Sequence, residues 1–139
     1  MRASCCLLVA LIGAAGCERG PVPPKRGSIA GTVTLNSLPV ASGRIRFLAI
    51  DPAGLNVAAD ITAGKFSVAA EQGPTRGKYR VEFSVPSSEK RRIPDYDNPG
   101  KFVEEAAETL PPRYHRESKV VLDYDPDDSQ PLSYQLTTP

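Results

Sequence analysis

From Gly27 onward apolar and polar residues alternate with a period of two. Turn residues interrupt the alternation about every ten residues, the pattern of short strands buried on one side. Ile29, Gly31, Val33 and Leu35 share one face and Ser28, Ala30, Thr32 and Thr34 the other, before a turn at Asn36-Ser37. Ile45, Phe47 and Ala49 alternate with Arg44, Arg46 and Leu48 up to Asp51-Pro52-Ala53-Gly54. Val57, Ala59 and Ile61 form a third strand, and Ala63-Gly64 turns tightly into a fourth that carries Phe66 and Val68. After a loop from Gln72 to Gly77, Tyr79, Val81, Phe83 and Val85 face inward against Arg80, Glu82 and Ser84. Val120, Leu122 and Tyr124, then Leu132, Tyr134 and Leu136, supply the last two strands. Strands at this spacing without a long amphipathic helix predict an all-β fold, a seven-stranded Greek-key β-sandwich of the Ig-like kind. Its inward residues suffice for one core between two sheets.

The stretch from Pro86 to Pro112 leaves the pattern and is long for a sandwich connection. It opens with Ser87-Ser88-Glu89-Lys90-Arg91-Arg92 and continues through Asp95-Tyr96-Asp97-Asn98-Pro99-Gly100. Asn98 is placed to cap a short helix with Pro99 in its first turn, Phe102 with Ala106 and Val103 with Leu110 lying along one face. The expectation is one long loop holding a short helix, laid as a lid over a sheet edge where it blocks strand addition. A long loop on a rigid scaffold is also where binding residues collect.

The chain has 139 residues, 40% hydrophobic and 24% charged, which fits one folded domain and excludes a disordered tail. Its 14 Pro and 11 Gly agree with many turns. The net charge of +1, with Lys and Arg scattered along the chain, argues against a nucleic-acid partner, which calls for a basic face.

The N-terminus changes the picture most. Arg2 precedes an uncharged run from Cys5 to Ala15, too short for a bilayer-spanning helix of roughly 20 residues and suited to a signal-peptide core. Ala14-Ala15-Gly16-Cys17 then resembles the bacterial lipobox, with Ala14 standing where Leu is usual. The resemblance implies a signal peptide over 1–16 and lipidation of Cys17. Cleavage removes Cys5 and Cys6 and leaves Cys17 alone, without a partner for an internal disulfide. A diacylglyceryl thioether consumes that thiol and anchors the chain, each buried methylene contributing about 0.8 kcal/mol. Residues 17–26 form a tether in which Pro21, Pro23 and Pro24 favour extended polyproline geometry, and 27–139 form the domain. Glu18 stands where an Asp favours inner-membrane retention in enteric bacteria, so the resemblance points to the outer membrane, facing the periplasm.

The body of the chain also carries a family resemblance. Gly27/Ile29/Gly31/Val33, Pro39-Val40 with Gly43, Phe47, Gly64-Lys65-Phe66 and Gly77-Lys78-Tyr79-Arg80-Val81 follow one another as in the carboxypeptidase regulatory-like, transthyretin-like module. Leu110-Pro111-Pro112-Arg113-Tyr114 is similar to its small lipoprotein form in planctomycete-type bacteria. Thr62-Ala63-Gly64, preceded by Asp60, varies the Asp-x-x-Gly turn of that family. The resemblance covers about residues 27–137 and implies the sandwich fold; fold alone does not assign an activity.

Candidate chemistry is sparse. Asp123-Tyr124-Asp125-Pro126-Asp127-Asp128 has the Asp spacing of a Ca²⁺ loop, but Asp128 stands where the turn Gly belongs and Tyr134 where the bidentate Glu belongs. His115 is the one histidine, so neither a zinc site nor a Ser-His-Asp triad has its full set of groups, and no Gly-x-Ser-x-Gly elbow occurs. No metal, cofactor or catalytic residue is assigned. Arg44, Arg46, Arg80 and Glu82 lie on outward strand positions, as cross-strand pairs that keep a sheet soluble do. Arg91, Arg92, Tyr96, Arg113 and Tyr114 are the candidate contacts for an envelope protein or a glycan, because aromatic and Arg side chains are enriched at binding sites. The reading is a lipid-anchored cell-envelope module, not an enzyme, with a structural or protein-binding role; the alternative is a carbohydrate-binding module.

Overall fold

The computed structural model describes Gly16, residues 20–128 and residues 130–139. Ten strands occur among the described residues: β1 (Ile29–Leu35), β2 (Leu38–Pro39), β3 (Ser42–Ala49), β4 (Val57–Thr62), β5 (Lys65–Val68), β6 (Gly77–Ser84), β7 (Pro86–Pro94), β8 (Phe102–Glu108), β9 (Val121–Tyr124) and β10 (Leu132–Leu136). Two single 3-10 turns, Ala70–Gln72 and Pro112–Tyr114, are the described helical elements.

Seven strands follow the order β10-β1-β5-β4-β3-β6-β9, with short β2 hung on β1. These are the seven that the alternation predicts. β3, β4 and β5 are joined by hairpins and β6 returns to lie beside β3, which makes the Greek key. β10 joins β1 in parallel, from Gly31↔Leu132 to Leu35↔Leu136. β4 and β5 pair only at Thr62↔Lys65, so the path bends there and folds β10-β1-β5 over β4-β3-β6-β9.

The turns follow local chemistry. Asn36 (φ 50°) and Ser37 (φ 67°) both take positive φ, as do Ala63 (φ 51°) and Gly64 (φ 75°). Two-residue hairpins demand this, since only that turn twist matches the strands.

Val33, Ile45, Phe47 and Val81 are wholly buried between the layers, each contributing about 1.5–3 kcal/mol. Phe66 and Phe83 from opposite layers both pack on Tyr134, at ring separations of 6.4 and 5.0 Å. At Gly31 a side chain would collide with the Leu132 carbonyl and come within 2.9 Å of Phe66 Cζ, so a glycine is required there.

The segment from Pro86 to Pro112 corrects the sequence expectation. It is not a loop with a capped helix but a two-stranded hairpin, β7 with β8, forming a sheet of its own. Pro99 sits in the tip turn, and the apolar face expected to pack as a helix is split: Phe102 is 56% and Val103 44% exposed, while Leu110 is buried in the sandwich core. β7 and β8 are registered only with each other, so the segment adds no strand to the main sheet. In this register Arg91 and Arg92 lie opposite Glu105 and Glu104, cross-strand pairs of opposite charge that a helix over 98–110 does not form.

The tether and the hairpin leave from opposite ends. Arg26 bridges to Thr75, its Nε donates to the Gly73 carbonyl at 2.9 Å, and Gly27 N–H donates to Pro74 at 3.0 Å. β6 begins beside that contact at Gly77 and delivers the chain to the hairpin after Ser84, about 23 Å away at roughly 3.3 Å per residue.

Candidate functional site

The hairpin is built from its register upward. Lys90↔Ala106, Arg92↔Glu104 and Pro94↔Phe102 lie opposite one another on one face, Arg91↔Glu105 and Ile93↔Val103 on the other. Arg91 Nη2 reaches Glu105 Oε2 at 3.2 Å, and Lys90 Nζ reaches Glu104 Oε2 diagonally at 3.4 Å. The Arg92 guanidinium lies over the Phe102 ring, 5.1 Å from its centroid. Each face therefore carries charge pairs along the shaft and an apolar pair near the tip.

The tip is an ordered turn. Asp95 Oδ1 accepts from Asp97 N–H at 3.0 Å and Oδ2 from the Asn98 amide at 2.8 Å. The Asn98 amide, first among these bonds, holds the Asp95 carboxyl below its ordinary value. Gly100 closes the turn at φ 88°, and Lys101 N–H donates to Asn98 at 3.0 Å. Tyr96 projects from this frame 88% exposed.

At the base, Glu108 accepts from Ser84 Oγ at 2.7 Å, Val85 N–H at 2.8 Å and Leu110 N–H at 3.1 Å. Thr109 N–H donates to the Val85 carbonyl at 2.9 Å, so the two ends of the excursion meet.

The five predicted contact residues thus divide. Arg91, Arg92 and Tyr96 belong to the hairpin. Arg113 and Tyr114 belong to the 3-10 turn Pro112–Tyr114, where they hold the C-terminal strand: Arg113 Nη2 donates to the Thr137 carbonyl at 2.8 Å, and the Tyr114 hydroxyl accepts from Thr137 N–H at 3.0 Å. The Thr137 contacts lower the Tyr114 phenol from its ordinary value. Cys17 lies outside the described residues, as do residues 1–15 that carry most of the expected signal peptide.

The outward charges of the main sheet are paired, and one is covered. Arg44 binds Asp60 at 2.9 Å, while Arg46 and Arg80 each reach Glu82 at 2.8 Å from either side. Glu82 is only 4% exposed, a buried carboxylate where the alternation predicts a solvated one. The two Arg side chains lying over it are the reason.

The acidic turn after β9 is tied to the tether. Arg76 binds Asp125 at 2.9 Å and Asp127 at 3.2 Å, and Lys25 also pairs with Asp127. Lys25, foremost, holds the Asp127 carboxyl below its ordinary value. Among the described residues no group of three His, Cys, Asp or Glu is arranged to hold a metal ion. A cleft of about 280 Å³ beside this turn is lined by Lys25, Asp51, Arg76, Lys78 and Asp127. His115 Nε2 lies 3.2 Å from the Leu110 carbonyl, a backbone contact. Among the described residues no helix is long and apolar enough to cross a membrane.

Sequence reasoning missed the hairpin itself. The signal was present: a cation run at 90–92 and a carboxylate pair at 104–105, separated by prolines and an Asp-rich turn. Comparison with family models, curated proteins and solved structures finds no match for this chain.

Proposed function

We propose that this chain is a lipid-anchored envelope module, held through Cys17 and acting without catalysis, whose contact element for a protein partner is the β7–β8 hairpin. The observation that carries the reading is the placement of that hairpin: it leaves the sandwich at the end opposite the tether and presents Tyr96, Phe102 and Val103 to solvent. Exposed apolar residues rimmed by charge are the usual composition of a contact surface. The lipobox-like run ending in Cys17 and the resemblance to the carboxypeptidase regulatory-like lipoproteins support the anchor. The backbone setting of His115 and the ion-paired state of the acidic turn support a non-catalytic role. A glycan platform has less support, since Tyr96 and Tyr114 stand on different elements and Tyr114 is engaged with Thr137.

Two measurements test it. Intact mass and acyl labelling of the membrane-purified protein should place acyl mass on Cys17, and Cys17→Ala should move the protein to the soluble fraction; an unmodified thiol contradicts the anchor. Excision of 87–107, closing Pro86 onto its partner Glu108 with a short turn so that the Glu108 bonds to Ser84, Val85 and Leu110 are kept, should leave the sandwich folded and abolish partner capture. Capture by the excised chain at the full chain's level contradicts the arm.

A further inference from the structure

The two edges of the hairpin are unequal. Asp95 N–H donates to Lys101 O at 2.9 Å, which makes that couple a hydrogen-bonded pair. Antiparallel ladders alternate, so Ile93/Val103 and Arg91/Glu105 are hydrogen-bonded too. The backbone groups of Lys90, Arg92 and Pro94 then point out from β7, and those of Phe102, Glu104 and Ala106 point out from β8. Pro94 fits this pattern, because it has no N–H to give to the ladder. β7 is guarded by that proline, by Pro86 and by a row of cations, the usual protection of an edge. β8 has no proline, and its outward N–H and C=O groups are complete.

The side chains of β8 complete the asymmetry. Phe102 and Val103 are exposed near the tip, and Glu104 and Glu105 follow with 63% and 52% of their side-chain surface in solvent. Each carboxylate meets its hairpin cation through Oε2.

We infer that the outer edge of β8 is a strand-addition site for an extended segment of a partner protein, with basic residues opposite Glu104 and Glu105 and apolar residues opposite Phe102 and Val103. This deepens the proposed function and rests on the hairpin being the contact arm. Main-chain bonds to the outward groups supply affinity, and the apolar and charged side chains along β8 supply selection. Cross-strand pairs of opposite charge favour a basic strand, and like charges directly opposite disfavour an acidic one. A second copy presenting β8 sets Glu against Glu, so self-pairing at this edge is disfavoured by the same rule.

The test uses the full chain in detergent and the peptide Thr-Val-Lys-Lys-Val-Val-Thr, with Thr-Val-Glu-Glu-Val-Val-Thr as control, read by fluorescence anisotropy and amide hydrogen exchange. The lysine peptide should bind about tenfold or more tighter than the glutamate peptide, a gap that narrows in high salt. It should protect the amides of Phe102, Glu104 and Ala106 and leave those of Val103 and Glu105, already bonded to β7, unchanged. Ala106→Pro removes one outward donor without touching the ladder to β7, so it should abolish binding while Val103 and Glu105 exchange as before. Equal binding of both peptides, protection elsewhere than at the three outward amides, or full binding by Ala106→Pro overturns the inference. So does protection of β8 that rises with protein concentration alone, which assigns the edge to a second copy. The outcomes separate from those of the parent reading: an unacylated chain that binds the peptide loses only the anchor. An excised chain that loses its partner while the peptide never binds keeps the arm and loses this edge.

Discussion

Arg91 and Glu105 stand directly opposite across the β7–β8 hairpin, guanidinium to carboxylate at 3.2 Å, on strands registered only with each other. A two-stranded hairpin in water is marginal by itself, so cross-strand pairs of this kind decide how much of the time it is closed. Both side chains are well exposed, which limits the pair to about 0.2–1 kcal/mol. Glu105→Lys should therefore speed hydrogen exchange along β7 and β8 several-fold at low salt and leave the thermal midpoint of the sandwich unchanged. Adding Arg91→Glu should restore protection. A sandwich midpoint that falls with the hairpin contradicts this picture of an independent arm.

Glu108 works differently, because it joins the arm to the body. Its carboxylate accepts three hydrogen bonds, from Ser84, Val85 and Leu110. Hydrogen bonds to charged groups are worth about 1.5–3 kcal/mol, and Glu108→Ala leaves the Val85 and Leu110 donors without their acceptor. Chemical denaturation should show a loss of about 1–3 kcal/mol, with Glu108→Gln intermediate.

The two layers are also stitched at the tether end. The Tyr124 hydroxyl donates to the Ser28 carbonyl at 2.7 Å, and a Cβ at Gly27 would collide with that hydroxyl and come 2.8 Å from Pro126 Cβ. Tyr124→Phe should cost about 1 kcal/mol. Gly27→Ala should cost about 1–3 kcal/mol and less in the Tyr124→Phe background, a coupling that a double-mutant cycle reads directly.

Tyr134 sets the alkaline limit. Burial among Phe66 and Phe83 pushes its phenol up to about 12 from an ordinary value of 10.0. Between those values the unfolded chain releases a proton that the folded chain keeps, so stability present below pH 10 is lost as the pH rises toward 12. Tyrosinate absorbance should show Tyr114 ionising before Tyr134, and Tyr134→Phe should flatten the alkaline slope of stability.

Much of the fold is legible in the sequence, for a physical reason. Val33, Phe47 and Val81 recur at period two because each strand of the sandwich has one wet face and one dry face. Asn36-Ser37 and Ala63-Gly64 mark turns whose positive φ few residues tolerate. The hairpin escapes the same reading because both of its faces are wet. Without a buried stripe, Lys90, Arg91, Glu104 and Glu105 show no hydrophobic alternation, and their pairing is visible only once the register is known. Glu82 escapes for the converse reason: two Arg side chains bury a carboxylate that sits at an outward position. Arg113 and Tyr114 read as a contact pair in sequence, and only the fold places Thr137 beside them.

The most direct test of the account is site-specific photo-cross-linking in the native envelope, with the photoreactive residue placed at Tyr96 on the hairpin tip or at Thr32 on the outer face of β1. The account predicts a discrete protein adduct from position 96, none from position 32, and retention of the protein in the membrane fraction that depends on Cys17. Adducts from position 32 with none from 96 would make the sandwich face the contact surface and reduce the hairpin to a bystander.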